Sequence, residues 1–190
     1  MESIRTFIAL ELPDELKMSL ARLQKTFMQS TAGVKWVRPE SVHLTLKFLG
    51  ATSMGKADTV CRVLERLARD VSPFFFEVSG IGAFPNSRKP KVLWAGLRVE
   101  DRLKAFQEAL ETELADIGFA TEGRPFAPHL TLGRIRDGLV RKDIAGLIER
   151  FSAERFGGFT SDHIIFFKSD LKPSGPVYEA IKDITLMKNA

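Results

Sequence analysis

Two stretches decide how this chain is read: VHLTLKFLG, residues 42–50, and PHLTLGRI, residues 128–135. Both contain the word HLTL. The chain has three histidines, and two of them open the two copies. On a strand, successive side chains point to opposite faces. Leu44 and Leu46, with Val42 and Phe48, therefore point towards a core. His43 and Thr45 point the other way, together. The second copy repeats this, with Leu130 and Leu132 inward and His129 and Thr131 on the opposite face.

Working outward, the elements around each word recur in the same order. Residues 5–12 (RTFIALEL) alternate as a strand. Pro13 and Asp14 then open a helical pattern with Leu16, Leu20, Leu23 and Phe27 at helical spacing. After the first HLTL strand, residues 56–70 read as a helix and residues 74–84 (FFFEVSGIGAF) as a strand that its glycines can bulge. The second half repeats the order: strand 91–99, helix 101–117 ended by Gly118, strand 129–135, helix 141–151 and strand 162–168. A last strand covers 176–186. The two histidines are 86 residues apart, and strands starting at Arg5 and Lys91 have the same offset. The spacing predicts a duplicated unit with halves of roughly 1–88 and 89–190. Two copies of one strand-and-helix unit suggest two lobes related by an approximate two-fold axis.

Bulk properties narrow the class without naming an activity. The 190 residues are 44% hydrophobic and 27% charged, the balance of an ordinary globular domain. No apolar run is long enough to span a bilayer, and MESIRTFIALELP lacks the basic and apolar regions of a signal peptide. Cys61 is the only cysteine. An intrachain disulfide is therefore excluded, and a reducing, cytoplasmic setting is expected. The net charge of +4 favours anionic partners weakly, and equally suits plain solubility.

Two imidazoles facing one another across a groove suit acid–base chemistry near neutral pH. One takes a proton from an attacking water and the other gives one to a leaving oxygen. In-line displacement at phosphorus needs those groups on opposite sides of the phosphorus atom, which a two-fold axis through it supplies. Each threonine hydroxyl can donate to a non-bridging phosphate oxygen. A lone H-x-T is weak evidence; two in matching register carry the reading. A metal site fits less well, because each word offers one histidine and no adjacent acid.

Paired H-x-T-x words in a duplicated chain of this length resemble the two-histidine phosphoesterase superfamily, and most closely its RNA 2′,3′-cyclic phosphodiesterase branch, formerly named 2′-5′ RNA ligase. The resemblance runs through RTFIALELP, WVRPESVHLTLKFLG, KVLWAGL, RPFAPHLTLGR and SGPVYEAI. It implies an α+β fold, a single bilobal domain over 1–190 with antiparallel sheets lining a central cleft and helices outside. It also implies metal- and cofactor-independent opening of a 2′,3′-cyclic phosphate on an RNA or oligonucleotide end, leaving a 2′-phosphomonoester. His43 and His129 would be the catalytic pair, His43 as acid on the 3′ oxygen and His129 as base on water. Thr45 and Thr131 would hold phosphate. The second motif of the family ends in arginine, and Arg134 fills that place. Five residues after His129, a regular strand would put Arg134 on the wrong face; a bulge at Gly133 would re-aim it.

Lys47 shares the parity of His43 and Thr45, so the cleft mouth and a solvated rim are both open to it. Phe84, Phe126, Tyr178 and Trp36 are candidates for stacking on a base, and equally for the core. His163 lies outside both words and reads as structural or exposed. The loop Arg88-Lys89-Pro90-Lys91 and Arg124 are candidate backbone contacts or solvated charge. Two other readings remain open. A ribose 5′-hydroxyl in place of water would make the same site a 2′-5′ RNA ligase by reversal. A non-catalytic RNA- or nucleotide-binding module would keep the cleft without turnover. The chain is expected to act as a monomer.

Overall fold

The computed structural model describes residues 3–135, 144–173 and 175–186. The strands are β1 (Ser3–Glu11), β2 (Val34–Trp36), β3 (His43–Ser53), β4 (Phe74–Phe84), β5 (Val92–Val99), β6 (His129–Ile135), β7 (Arg155–Ser161), β8 (His163–Lys172) and β9 (Gly175–Thr185). The helices are α1 (Asp14–Ser30), α2 (Met54–Ala68), α3 (Asp101–Asp116) and α4 (Ile144–Arg150). The fold is α+β and the sheet antiparallel throughout, as the family resemblance implied. Residues 141–143, where the sequence would start the fourth helix, lie outside the described residues. Among the described residues, no helix is long and apolar enough to cross a membrane.

The strand order is β7-β4-β5-β6-β3-β1-β8-β9, with β2 paired to β6. The inner six strands read alike from either end once counterparts are matched: β3 with β6, β1 with β5, β4 with β8. The two HLTL strands sit side by side at the centre. They meet through one residue pair, Leu44↔Leu130. The strand sets on either side do not follow the sequence halves. β4 pairs with β5, and β8 pairs with β1, so each half contributes a strand to the other set. Pairing also refines the repeat offset. Leu10 faces Leu44 and Ala95 faces Leu130, so the leading strands correspond at 85 residues while the histidine strands correspond at 86.

One face of the sheet carries the main core. Leu44, Leu46, Leu130 and Leu132 are buried there with Leu16, Leu20, Leu23 and Phe27 of α1, Val60, Val63 and Leu64 of α2, and Leu103, Phe106, Leu110 and Leu114 of α3. These are the helical positions that the 3.6-residue period singles out. The opposite face holds a smaller cluster of Phe7, Ala9, Ile165 and Phe167, with Tyr178 packed on it. β1 is buried on both faces for this reason. β2 and β7 have no sequence signal of their own. β2 is three residues long, and β7 carries Gly157 and Gly158 in a seven-residue edge strand.

Candidate active site

Each HLTL strand bulges at the same place. Along β3, Ile8 faces Lys47 and Ala9 faces Thr45, so Leu46 has no partner on β1. Along β6, Leu93 faces Gly133 and Trp94 faces Thr131, so Leu132 is skipped in the same way. A bulge inserts one residue and inverts the parity beyond it. The carbonyls at the bulges are taken by buried glutamines. Gln24 of α1 donates to Leu132 O at 2.9 Å and to Val37 O at 2.8 Å. Gln107 of α3 donates to Leu46 O at 3.4 Å.

The inverted parity redirects three side chains. Arg134 points to the cleft, as a bulge at Gly133 would require, and is exposed there. Phe48 is its counterpart five residues after His43. The sequence placed it in the core; it is 54% exposed and lines the cleft. Lys47 is a correction in the opposite sense. The cleft mouth and the solvated rim are both wrong for it, because the bulge turns it inward to 2% exposure. Its ammonium bonds Glu111 Oε2 at 2.6 Å and Ala120 O at 2.8 Å. Glu111 also accepts from the backbone N–H of Glu122. The buried ion pair thus ties the strand of His43 to the segment that leads into His129. The counterpart of Lys47 is Gly133. A Cβ there would lie 2.7 Å from Val34 Cγ1, so only glycine lets β2 lie against β6.

The two histidines are held alike. Nδ1 of His43 donates to Ser41 O at 2.8 Å, and Nδ1 of His129 donates to Ala127 O at 2.8 Å. A carbonyl only accepts, so the proton sits on Nδ1 and each Nε2 is left for chemistry. The register at Leu44↔Leu130 sets His43 across from Thr131 and Thr45 across from His129. In a regular antiparallel pair such neighbours have Cβ atoms about 5 Å apart, and the diagonal histidines roughly 7–8 Å. That span admits one phosphate group between two imidazoles.

Their surroundings differ. His43 stacks on Phe7 with centroids 4.8 Å apart, and Tyr178 meets it edge-on at 5.2 Å. Burial there pushes its imidazole down to about 4, against a smaller upward pull from the Ser41 carbonyl. His129 is more open and meets the edge of Phe84 at 5.0 Å. A cavity of about 520 Å³ adjoins His43, Thr45, Thr131 and Arg134. Its remaining cations are Arg5, Lys35 and Arg38, and among the described residues no carboxylate lines it. Burial raises the Tyr178 phenol, while Arg134, Arg5 and Arg38 pull it down. His129 does not line this cavity.

Of the other candidates, Tyr178 and Trp36 line the cavity. Phe84 does not; its ring lies between His129 and Trp94. Phe126 packs against the main core. His163 bonds Asp183 at 2.6 Å, away from both words. Arg5, Lys35 and Arg38 were not singled out by the sequence. Lys35 and Arg38 fall on or beside β2, which has no signal, and Arg5 lies on a strand that reads as core.

The LigT-like phosphoesterase family model matches residues 10–94 and again residues 97–178. The chain is 34% identical over 175 residues to the RNA 2′,3′-cyclic phosphodiesterase of Methanothermobacter thermautotrophicus, covering 92% of this chain and 95% of that one. It is 34% identical over 180 residues to the protein of the same name from Methanocaldococcus jannaschii, covering 95% and 99%. A crystal structure from Thermus thermophilus superposes with a TM-score of 0.83 at 28% identity, covering 96% and 98%. E. coli LigT in its apo form shares the fold with a TM-score of 0.78 at 22% identity, covering 99% and 100%. This chain belongs to the LigT-like phosphoesterase family.

Proposed function

We propose that the chain is an RNA 2′,3′-cyclic phosphodiesterase that opens the cyclic phosphate to a 2′-phosphomonoester. One observation carries this reading. The two His/Thr pairs stand on adjacent strands and on the same side of the sheet by strand parity, with each Nδ1–H committed to a carbonyl two residues back. The names of the relatives that match over nearly the whole chain support the substrate class.

In the proposed displacement, Nε2 of His129 takes a proton from water as the water oxygen bonds to phosphorus. The bond from phosphorus to the 3′ oxygen breaks, and protonated His43 delivers its Nε2 proton to that oxygen. The product keeps the phosphate on the 2′ oxygen. The cavity supports this assignment of roles, since it adjoins His43 and both threonines but not His129. A nucleoside in it places its 3′ oxygen on the His43 side and leaves the His129 side to water. Thr45, Thr131 and Arg134 supply donors to the non-bridging oxygens, where charge develops. All these groups come from one chain, which supports a monomer. Cys61 as sole cysteine supports a cytoplasmic setting.

The test is incubation of an oligonucleotide ending in 2′,3′-cyclic phosphate with the enzyme in EDTA, followed by identification of the product. A 2′-phosphomonoester is expected. A 3′-phosphate, or turnover only after a divalent ion is returned, would refute the mechanism.

A further inference from the structure

A second cavity borders His43. It measures about 190 Å³, and Arg38, His43 and Tyr178 line both it and the larger one. The two hollows differ in charge. The larger is lined by Arg5, Lys35, Arg38 and Arg134 and, among the described residues, by no carboxylate, which suits phosphate. The smaller holds Glu11 and Glu40, which repel phosphate, beside apolar walls from Phe167 and Val177. Glu40 is paired with Arg38 at 3.7 Å, whereas Glu11 has no ion-pair partner among the described residues. Glu11 faces His43 across β1 and β3, so the two side chains stand on the same side of the sheet. The Nδ1–H of His43 is committed to Ser41 O, so the Glu11 carboxylate does not serve the ring. It is an acceptor at the edge of the site that the displacement leaves unused.

A carboxylate beside flat apolar walls fits a ring whose edge donates hydrogen bonds. The volume suits one ring system and not a second whole nucleotide. Single-stranded RNA is read on such edges. Guanine offers one carboxylate two adjacent donors, its N1–H and its 2-amino group. Cytosine and adenine each offer one amino group. Uracil sets a carbonyl on either side of its N3–H, and these repel a carboxylate. Arg38 stands at the border of the two cavities. It donates to Pro176 O at 3.1 Å and keeps further N–H groups for an anion. We propose that the smaller cavity receives the base of the penultimate nucleotide of an RNA end. Glu11 reads the edge of that base, and Arg38 holds the phosphodiester joining it to the terminal ribose. This rests on the cyclic-phosphodiesterase reading and names its substrate: an oligonucleotide end, with guanosine favoured over uridine one position upstream.

The experiment compares kcat/KM for adenosine 2′,3′-cyclic phosphate with that for four dinucleotides, which carry G, C, A or U before the same terminal nucleotide. Wild type should favour the G dinucleotide over the U dinucleotide by about tenfold, the low end of one hydrogen bond to a charged group, because Glu11 is exposed. The C and A dinucleotides should fall between, and the mononucleotide should be poorer than the G dinucleotide. Glu11→Gln should bring the G/U ratio towards unity. Glu11→Lys should invert it, since an ammonium donates to the uracil carbonyls. Ratios between dinucleotides cancel any effect of these changes on His43. A dinucleotide with an abasic upstream ribose should keep the contribution of Arg38 and lose that of Glu11. Equal efficiency on the mononucleotide and all four dinucleotides would overturn the subsite and leave the activity standing. A G/U ratio unchanged in Glu11→Lys would overturn the assignment of Glu11. Titration calorimetry with the G and U dinucleotides ending in a 2′-phosphate reads the same ratio without turnover, so failure of the activity is told apart from failure of the subsite.

Discussion

His43 carries a quantitative consequence. In the empty cleft its imidazole titrates at about 4, pushed down by burial against Phe7 and Tyr178. At neutral pH it is then uncharged, yet the proposed mechanism needs it protonated when the 3′ oxygen leaves. The substrate can supply the difference. A phosphate monoanion about 4 Å from an imidazolium is worth roughly 4 kcal/mol at an effective dielectric of 20. At 1.36 kcal/mol per unit, that raises the imidazole by ~3 units, to near neutrality. Binding should therefore carry a proton into the site. NMR titration of the His43 ring proton should give a midpoint near 4 in the free enzyme and near 7 when saturated with a 2′-nucleotide. Calorimetry at pH 6 in buffers of different ionisation enthalpy should show close to one proton taken up per nucleotide bound. A free-enzyme midpoint at the ordinary 6.5, or no movement on saturation, would refute both the burial argument and the substrate-assisted charging of His43.

The other predictions follow from the same geometry. His43→Ala and His129→Ala should each lower turnover about 10²–10⁴-fold, and a substrate with a better leaving oxygen should rescue only His43→Ala. Thr45→Ala and Thr131→Ala should each cost about 10- to 150-fold in kcat/KM, one hydrogen bond to a charged group. Lys47→Met should destabilise the fold by roughly 3 kcal/mol in urea unfolding, because it leaves the Glu111 carboxylate without its buried partner. Adding Glu111→Leu should recover much of that loss; a double variant as unstable as the single one would refute the ion-pair account. The unfolded chain holds a proton on residue 43 below about pH 6.5 that the folded chain refuses until about 4. Stability should therefore fall as pH drops through that window, and His43→Phe should lose this part of the slope in melts at pH 6.5 and pH 4.5.

The parts of the fold that rest on alternation and helical spacing were legible in the sequence. The His, Thr and Leu assignments of both words follow from two-residue periodicity before either bulge. Beyond the bulge that periodicity fails, and the two misjudged side chains of these strands lie there. Lys47 and Phe48 were each given the face the other occupies. The signal that would have corrected them was present. The bulge needed to re-aim Arg134 in HLTLGR implies the same bulge in the duplicated HLTLKF, which sends Lys47 inward and Phe48 out. The strand exchange between halves was not legible, since a repeat in sequence fixes the order of elements but not which neighbours they choose. Nor were the buried glutamines. Gln24 and Gln107 are polar residues on the buried faces of α1 and α3, and their function appears only once the bulges bring Leu132 O and Leu46 O to them.

The repetition of HLTL thus has a physical rationale that the differences between its copies sharpen. A duplicated strand, with its carbonyl anchor on Nδ1 and its bulge three residues on, supplies two imidazoles with matched tautomers and opposed directions. In-line displacement needs that symmetry only at the phosphorus atom. Away from it the two sides of the reaction differ, because a nucleoside leaves on one side and water arrives on the other. The chain diverges at the corresponding positions. Beside His43 it places Phe7, Tyr178 and a nucleotide-sized cavity; beside His129 it leaves an open imidazole against Phe84. Past the bulges it places a lysine that locks the two copies together against a glycine that admits β2, and a phenyl ring against a guanidinium. Restoring symmetry at the last of these, by Phe48→Arg, should strengthen binding of inorganic phosphate, because it adds a second guanidinium at the position equivalent to Arg134. Unchanged phosphate affinity in that variant, read by titration calorimetry, would show that the two positions beyond the bulges do not meet the phosphate alike.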